Sequence, residues 1–165
     1  MNRWAARSSV LVGIFLGGLG AASFAQSPVT YKLLCQSVGT APQEPLGDRE
    51  GHTLFAPNYS CRVEGGPLDG GLVTGISIYE WDKLNGTGLS GNGVIRKPGA
   101  TAVYELTEFK NTRTMTNGKV TGFEGIGRGT YKLATGSASS LAGKAFSFTA
   151  GPNGPGQFVV DIRVE

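Results

Sequence analysis

Residues 144–165 read KAFSFTAGPNGPGQFVVDIRVE, and this stretch carries the pattern that decides the fold. From Phe158 to Val164 every second residue is apolar, and most of the residues between them are charged or small. Phe146 and Phe148 alternate with small residues in the same way, and Asn153-Gly154 lies between the two runs. Period-two alternation is typical of strands with one buried face, and Asn-Gly favours a tight turn. The stretch therefore predicts a β-hairpin.

The same arrangement recurs toward the N-terminus. Further Asx-Gly pairs begin at Asp69, Asn85, Asn92 and Asn117. The pair at Asn92 falls inside a strand-like run, where a bulge is as reasonable as a turn. Strand-like runs recur about every ten residues, which predicts an all-β domain. We expect a single antiparallel up-and-down β-barrel of about eight strands, with a β-sandwich as the alternative.

Cys35 and Cys61 are the only two cysteines. In an exported protein such a pair predicts a structural disulfide, which would close a loop of about 26 residues. The alternative is a redox-active or metal-binding pair, but the spacing is not C-x-x-C, and His52 is the only histidine. Between the cysteines, residues 39–57 carry three prolines and little alternation. We expect a long loop there, tethered by the disulfide.

The N-terminus has the three parts of a secretory signal peptide. Asn2–Arg7 is basic, Val10–Phe24 is uncharged and mostly apolar, and Ser23-Phe24-Ala25 offers small residues to a signal peptidase. The apolar run is about 15 residues, shorter than the roughly 20 that a membrane-spanning helix needs, which disfavours a permanent anchor. We therefore expect residues 1–25 to be removed, export to the periplasm or beyond, and one mature domain over residues 26–165.

Charge disfavours nucleic-acid binding, and no apolar run after the signal peptide is long enough to cross a membrane. The whole chain has 15 Lys and Arg against 12 Asp and Glu, and loss of Arg3 and Arg7 brings the net charge from +3 to +1. Nucleic-acid binding needs a concentrated positive face, and the densest basic run left is Arg96-Lys97. We expect no nucleic-acid partner and no membrane span after signal cleavage.

Two glycine-rich runs, at Gly88–Gly93 and Gly125–Gly129, are spaced like phosphate-binding loops. Such loops lead into a helix, whereas the residues after Gly129 are strand-like, so these glycines are interpreted as places where strands bend. His52 lies beside acidic residues and could act as a general base, but no G-x-S-x-G nucleophile motif accompanies it. The sequence names no catalytic residue and predicts no metal site and no cofactor.

Residues 122–138, GFEGIGRGTYKLATGSA, resemble a pattern of the allene oxide cyclase-like and dirigent-like barrels. In those proteins a Gly-rich approach leads to a G-x-G-x-[YF] strand and then to an A-x-G turn. The resemblance implies a barrel of about eight strands with an apolar cavity, used in that group for cyclising or guiding small hydrophobic molecules. It carries over no catalytic residue, and the long segment before Cys61 departs from it.

The leading functional hypothesis is a non-enzymatic binding module that holds a small apolar ligand in the barrel mouth. The residues expected to line that site are His52, Tyr79, Trp81 and Tyr104. One alternative is an isomerase or cyclase on the same barrel, which needs an inward-facing carboxylate or histidine. The other is an envelope interaction or structural module with no cavity, which uses residues 39–57 as its contact surface.

Overall fold

The computed structural model describes residues 28–165, so the expected signal peptide, residues 1–25, lies outside the described residues. The described residues form ten strands: β1 (Thr30–Val38), β2 (Gln43–Pro45), β3 (His52–Phe55), β4 (Asn58–Glu64), β5 (Leu72–Asp82), β6 (Asn85–Lys97), β7 (Ala100–Thr116), β8 (Lys119–Gly136), β9 (Ala145–Pro152) and β10 (Gln157–Val164). A single turn of 3-10 helix, Ser139–Leu141, lies between β8 and β9. No helix within residues 28–165 is long and apolar enough to cross a membrane.

Eight of the strands form a closed antiparallel barrel. Each of β4 to β9 pairs with the next strand along the chain, and β1 pairs with both β10 and β4, which closes the barrel. This is the expected up-and-down barrel, and the sandwich alternative is wrong because the sheet closes on itself. The hairpin β7–β8 is the longest and extends past its neighbours, since β9 pairs with β8 only as far as Gly125.

The segment 39–57, expected to be a loop, contains the two strands outside the barrel. β2 pairs with β3, and β3 continues along the same edge of β5 that β4 occupies. Pro57 separates β3 from β4 because proline has no backbone N–H to donate to the ladder. β2 has three residues, one of them Pro45, and β3 has four. Strands this short show too little alternation to be recognised in the sequence.

The turns test the Asx-Gly pattern. At Asn117 and Gly118 both φ angles are positive, 52° and 74°, as a type I′ turn requires. The expected turn at Asn85-Gly86 is wrong: both residues belong to β6, and the turn lies two residues earlier, at Lys83 and Leu84, where Lys83 has φ 53°. Asn92-Gly93 lies within β6 and forms no turn.

One end of the barrel is plugged. Leu68 comes from the turn between β4 and β5, and Ala138 and Leu141 come from the connection between β8 and β9; all three are at most 2% exposed. Cys35 and Cys61 face each other across β1 and β4 and form the expected disulfide. Apolar side chains of the alternating strands form the core of the barrel, Val160, Ile162 and Val164 among them.

Glycines at inward-facing positions leave room for aromatic rings. A Cβ atom added to Gly75 would lie 2.6 Å from the Tyr59 ring, and one added to Gly86 would lie 2.7 Å from the Trp81 ring. Gly127 sits in the same way beneath Phe148. The spaced glycines of β6 and β8 are therefore packing positions for rings inside a narrow barrel.

Candidate functional site

A cavity of about 300 Å³ occupies the barrel interior. It begins above the plugged end and reaches the opposite end, where β1, β5, β7 and β9 finish and β6, β8 and β10 begin. Val120, which is 56% exposed, is among its lining residues, so the cavity reaches solvent at this end. The volume is at the lower end of the range for small-molecule sites.

The two sides of the cavity differ in chemistry. The side formed by β1, β9 and β10 is mainly apolar, with Leu33, Phe146, Phe148, Ala150, Phe158, Val160 and Ile162, and Tyr31 and Ser37 of β1 are its polar members. The side formed by β4, β5 and β7 carries polar atoms on aromatic and small residues, namely Tyr59, Ser77, Tyr79, Trp81, Tyr104, Asn111 and Arg113. An apolar lining with a few converging polar groups is typical of a site for a small organic molecule.

Two tyrosines of the polar side are hydrogen-bonded to each other. The hydroxyl oxygens of Tyr59 and Tyr104 are 2.9 Å apart. Burial raises the pKa of Tyr104 well above its ordinary value and raises the pKa of Tyr79 to about 12, although contacts with Asn111 and Ser77 partly lower the latter. These hydroxyls stay protonated at neutral pH, so they offer hydrogen bonds and do not serve as general bases.

The mouth of the cavity holds a stacked cation. The guanidinium carbon of Arg113 lies 3.8 Å from the centroid of the Trp81 ring, a cation–π contact. Trp81 is 2% exposed, and its Nε1 has no hydrogen-bond acceptor among the described residues. Asn111 Oδ1 is likewise buried without a donor from residues 28–165. An unpaired buried polar atom costs about 1–3 kcal/mol, so a water molecule or a ligand that hydrogen-bonds to these atoms would stabilise them.

Three of the four residues expected at a ligand site lie in the wall of this cavity, and their role in binding stays a prediction. Tyr79, Trp81 and Tyr104 face the cavity, and the alternation of β5 brings Tyr79 and Trp81 to the same side. His52 is not among the residues that line the cavity. As the first residue of β3, it lies outside the barrel wall, beside Glu80 of β5.

No family model, no curated protein and no solved structure matches this chain. The resemblance of residues 122–138 to the allene oxide cyclase-like and dirigent-like barrels therefore stays a prediction. Within the part of the chain that the structure describes, no group of three His, Cys, Asp or Glu side chains is placed to hold a metal ion. The cavity and its polar side are the features from which a function can be argued.

The sequence reasoning missed Tyr59, Asn111 and Arg113. Tyr59 could have been found, because it precedes Cys61 by two residues and must share its inward face. Asn111 and Arg113 belong to a polar stretch, KNTRT, in which no apolar alternation indicates a face. Only the register of β7 with β8, where Arg113 pairs with Phe123, reveals that they point inward.

His52 joins a cluster of charges on the outer face of the barrel. Its Nε2 lies 2.6 Å from Glu80 Oε1, and its Nδ1 contacts Asp48 at the tip of the β2–β3 hairpin. Arg49 bridges Asp48 and Asp82, at 2.7 Å and 3.2 Å. These contacts fasten the hairpin tip to β5, whose inward side chains line the cavity.

This cluster makes stability depend on pH. The hydrogen bond to Asp48, and then that to Glu80, raises the pKa of His52 above its ordinary value of 6.5. The contribution of protonated His52 to stability is therefore complete below pH 6.5, and it is lost as the pH rises through the raised pKa that His52 has in the folded protein. We therefore expect the melting temperature of the wild-type protein to fall between about pH 5 and about pH 9. His52→Gln should remove this fall, since glutamine does not titrate. Parallel melting temperatures for the two proteins over that range would contradict the prediction.

Proposed function

We propose that this protein is an exported binding module that holds a small apolar ligand in the barrel cavity. The observation that carries the proposal is the cavity itself, about 300 Å³ of space lined mainly by apolar and aromatic side chains and open at one end. The interior glycines beside Tyr59, Trp81 and Phe148 have no side chain, so these rings pack directly against the backbone of the barrel wall. A solid core would instead fill that space with larger aliphatic side chains.

Export is part of the proposal and has two supports. The N-terminal residues have the pattern of a cleavable signal peptide. The Cys35–Cys61 disulfide suits an oxidising compartment, where such bonds persist. A ligand held in this barrel would therefore be one that the protein meets outside the cytoplasm.

The lining residues favour binding over acid–base catalysis. The cyclase alternative needs an inward carboxylate or histidine, and the cavity lining drawn from residues 28–165 includes neither. Its titratable side chains are Arg113 and tyrosines, and burial raises the pKa of Tyr31, Tyr59, Tyr79 and Tyr104. None of these groups exchanges a proton readily near neutral pH.

Filling the cavity tests the proposal. Ala150 lies on β9 and lines the cavity, and Ala150→Leu adds three carbon atoms to that space. With 1-decanol as an uncharged probe in titration calorimetry, we expect the wild-type protein to bind and the variant to bind about tenfold more weakly, the cost of displacing about two methylene groups. The free energy of unfolding of the variant should be unchanged or higher by about 1 kcal/mol, as is common when a substitution fills a cavity.

Ala145→Leu is the matched control, because Ala145 is an exposed residue at the start of the same strand. It should leave decanol binding unchanged. The proposal fails if the wild-type protein binds no decanol, or if both leucine variants weaken binding equally.

A further inference from the structure

The only charged side chain that lines the cavity, within residues 28–165, is Arg113. It lies near the end of β7, at the open end of the cavity, and its guanidinium stacks on Trp81. It forms no ion pair with the carboxylates that the structure describes: Asp48, Glu64, Glu80, Glu105 and the other paired acids have different partners. A half-buried arginine with no anionic partner is an exception to the usual pairing of buried charge.

From this geometry we infer that the ligand is an amphiphile with an anionic oxygen head, such as a carboxylate or a sulfate, bound by Arg113 and Trp81 at the mouth with its apolar body in the barrel. The inference rests on the proposed function, since it names the class of ligand for the same cavity. Stacking leaves the edge of the guanidinium free, and that edge presents N–H groups in a geometry that suits a carboxylate.

A second donor lies beside the first. Trp81 Nε1 is buried with no acceptor from the described residues, and an indole N–H can only donate. An anionic oxygen supplies the acceptor that it lacks. Asn111 Oδ1 needs a donor instead, which an anion does not offer, so the head group is assigned to Arg113 and Trp81 alone.

The rest of the cavity sets the orientation of the ligand. Phe148, Phe158 and Val160 form the apolar side below the mouth, and Leu68 and Leu141 plug the far end without any charge. A charged head at the plugged end would be desolvated without a partner, which is costly, whereas a head at Arg113 stays paired and near water. Burial lowers the pKa of Arg113, but an arginine remains charged at neutral pH.

The test compares decanoate with 1-decanol, two probes with the same chain and different heads. We expect the wild-type protein to bind decanoate at least about tenfold more tightly than decanol, the difference typical of a charge-assisted hydrogen bond. Arg113→Gln should remove this preference. It should weaken the affinity for decanoate about tenfold or more and change the affinity for decanol by less than about twofold. Arg113→Lys keeps the positive charge but loses the paired N–H donors of the guanidinium, so it should recover part of the preference for decanoate.

Arg128→Gln is the matched control: it removes an arginine from the exposed side of β8 and should change neither affinity. Melting temperatures establish that each variant is folded. Two results would contradict an anionic head group without contradicting the apolar cavity. One is equal affinity of the wild-type protein for both probes, and the other is an equal loss of decanoate affinity in the Arg113 and Arg128 variants. Binding of neither probe would overturn the proposed function as well.

Discussion

Reducing the Cys35–Cys61 disulfide is expected to lower the free energy of unfolding by about 3 kcal/mol. The bond joins positions 26 residues apart and restricts the unfolded chain over the whole β1–β4 segment. In the folded barrel the two strands are also held by backbone pairing on both sides of the bond, so the native geometry survives reduction. Urea unfolding with and without reductant, at neutral pH, measures the difference.

The variant Cys35→Ala/Cys61→Ala gives the matched control. Reductant should not move its unfolding midpoint, because it has no bond to break. Cys35 lines the cavity and both cysteines are at most 4% exposed, so the variant should also be slightly less stable than the reduced protein, through lost packing. A reduced wild-type protein within about 1 kcal/mol of the oxidised one would show that the bond does little for stability.

Gly127→Ala is expected to lower the free energy of unfolding by about 3 kcal/mol, at the upper end for overpacking by a single methyl group. The added Cβ would lie 2.6 Å from the Glu108 carbonyl oxygen, 2.6 Å from Phe109 Cβ and 2.7 Å from Phe148 Cε1. The first two atoms are fixed by the pairing of β7 with β8, so only the Phe148 ring can yield. Chemical denaturation of the purified variant gives the measurement.

Gly122→Ala is the control on the same strand. Its added Cβ would make only ordinary contacts, 3.8 Å from Pro152 and 4.0 Å from Thr114. This variant should be as stable as the wild-type protein or gain up to about 1 kcal/mol, because alanine restricts the unfolded chain. Equal losses for the two variants would mean that glycine serves strand flexibility and not ring packing.

The glycine prediction follows from a general property of the fold. A barrel of eight strands is narrow, so its interior accepts large rings only where the facing wall has no side chain. Gly127 beneath Phe148 and Gly86 beneath Trp81 are such places. Where rings and glycines alternate around the wall, the centre stays open, and the cavity follows from this local packing.

Parts of the site could be predicted from the sequence. Tyr79, Trp81 and Tyr104 were expected to line the cavity because large aromatics on alternating strands turn inward. His52 was misplaced because its strand is short and lies outside the barrel, where it pairs with β5 alongside β4. Arg113 carried no signal at all, since a charged residue in a polar stretch is ordinarily assigned to solvent.

What the sequence determined by itself is the local structure. Period-two alternation fixed which faces of β9 and β10 are buried, Asn117-Gly118 fixed a type I′ turn, and two cysteines allowed one bridge. These are properties of neighbouring residues, and elementary stereochemistry is enough to derive them. The tertiary structure alone decided the rest, namely the closure of the barrel by β1 against β10 and β4, the open centre, and the meeting of Arg113 with Trp81 at its mouth. Those features depend on registers between strands distant in the chain, and a register is set by the packing of the whole barrel and not by any one segment.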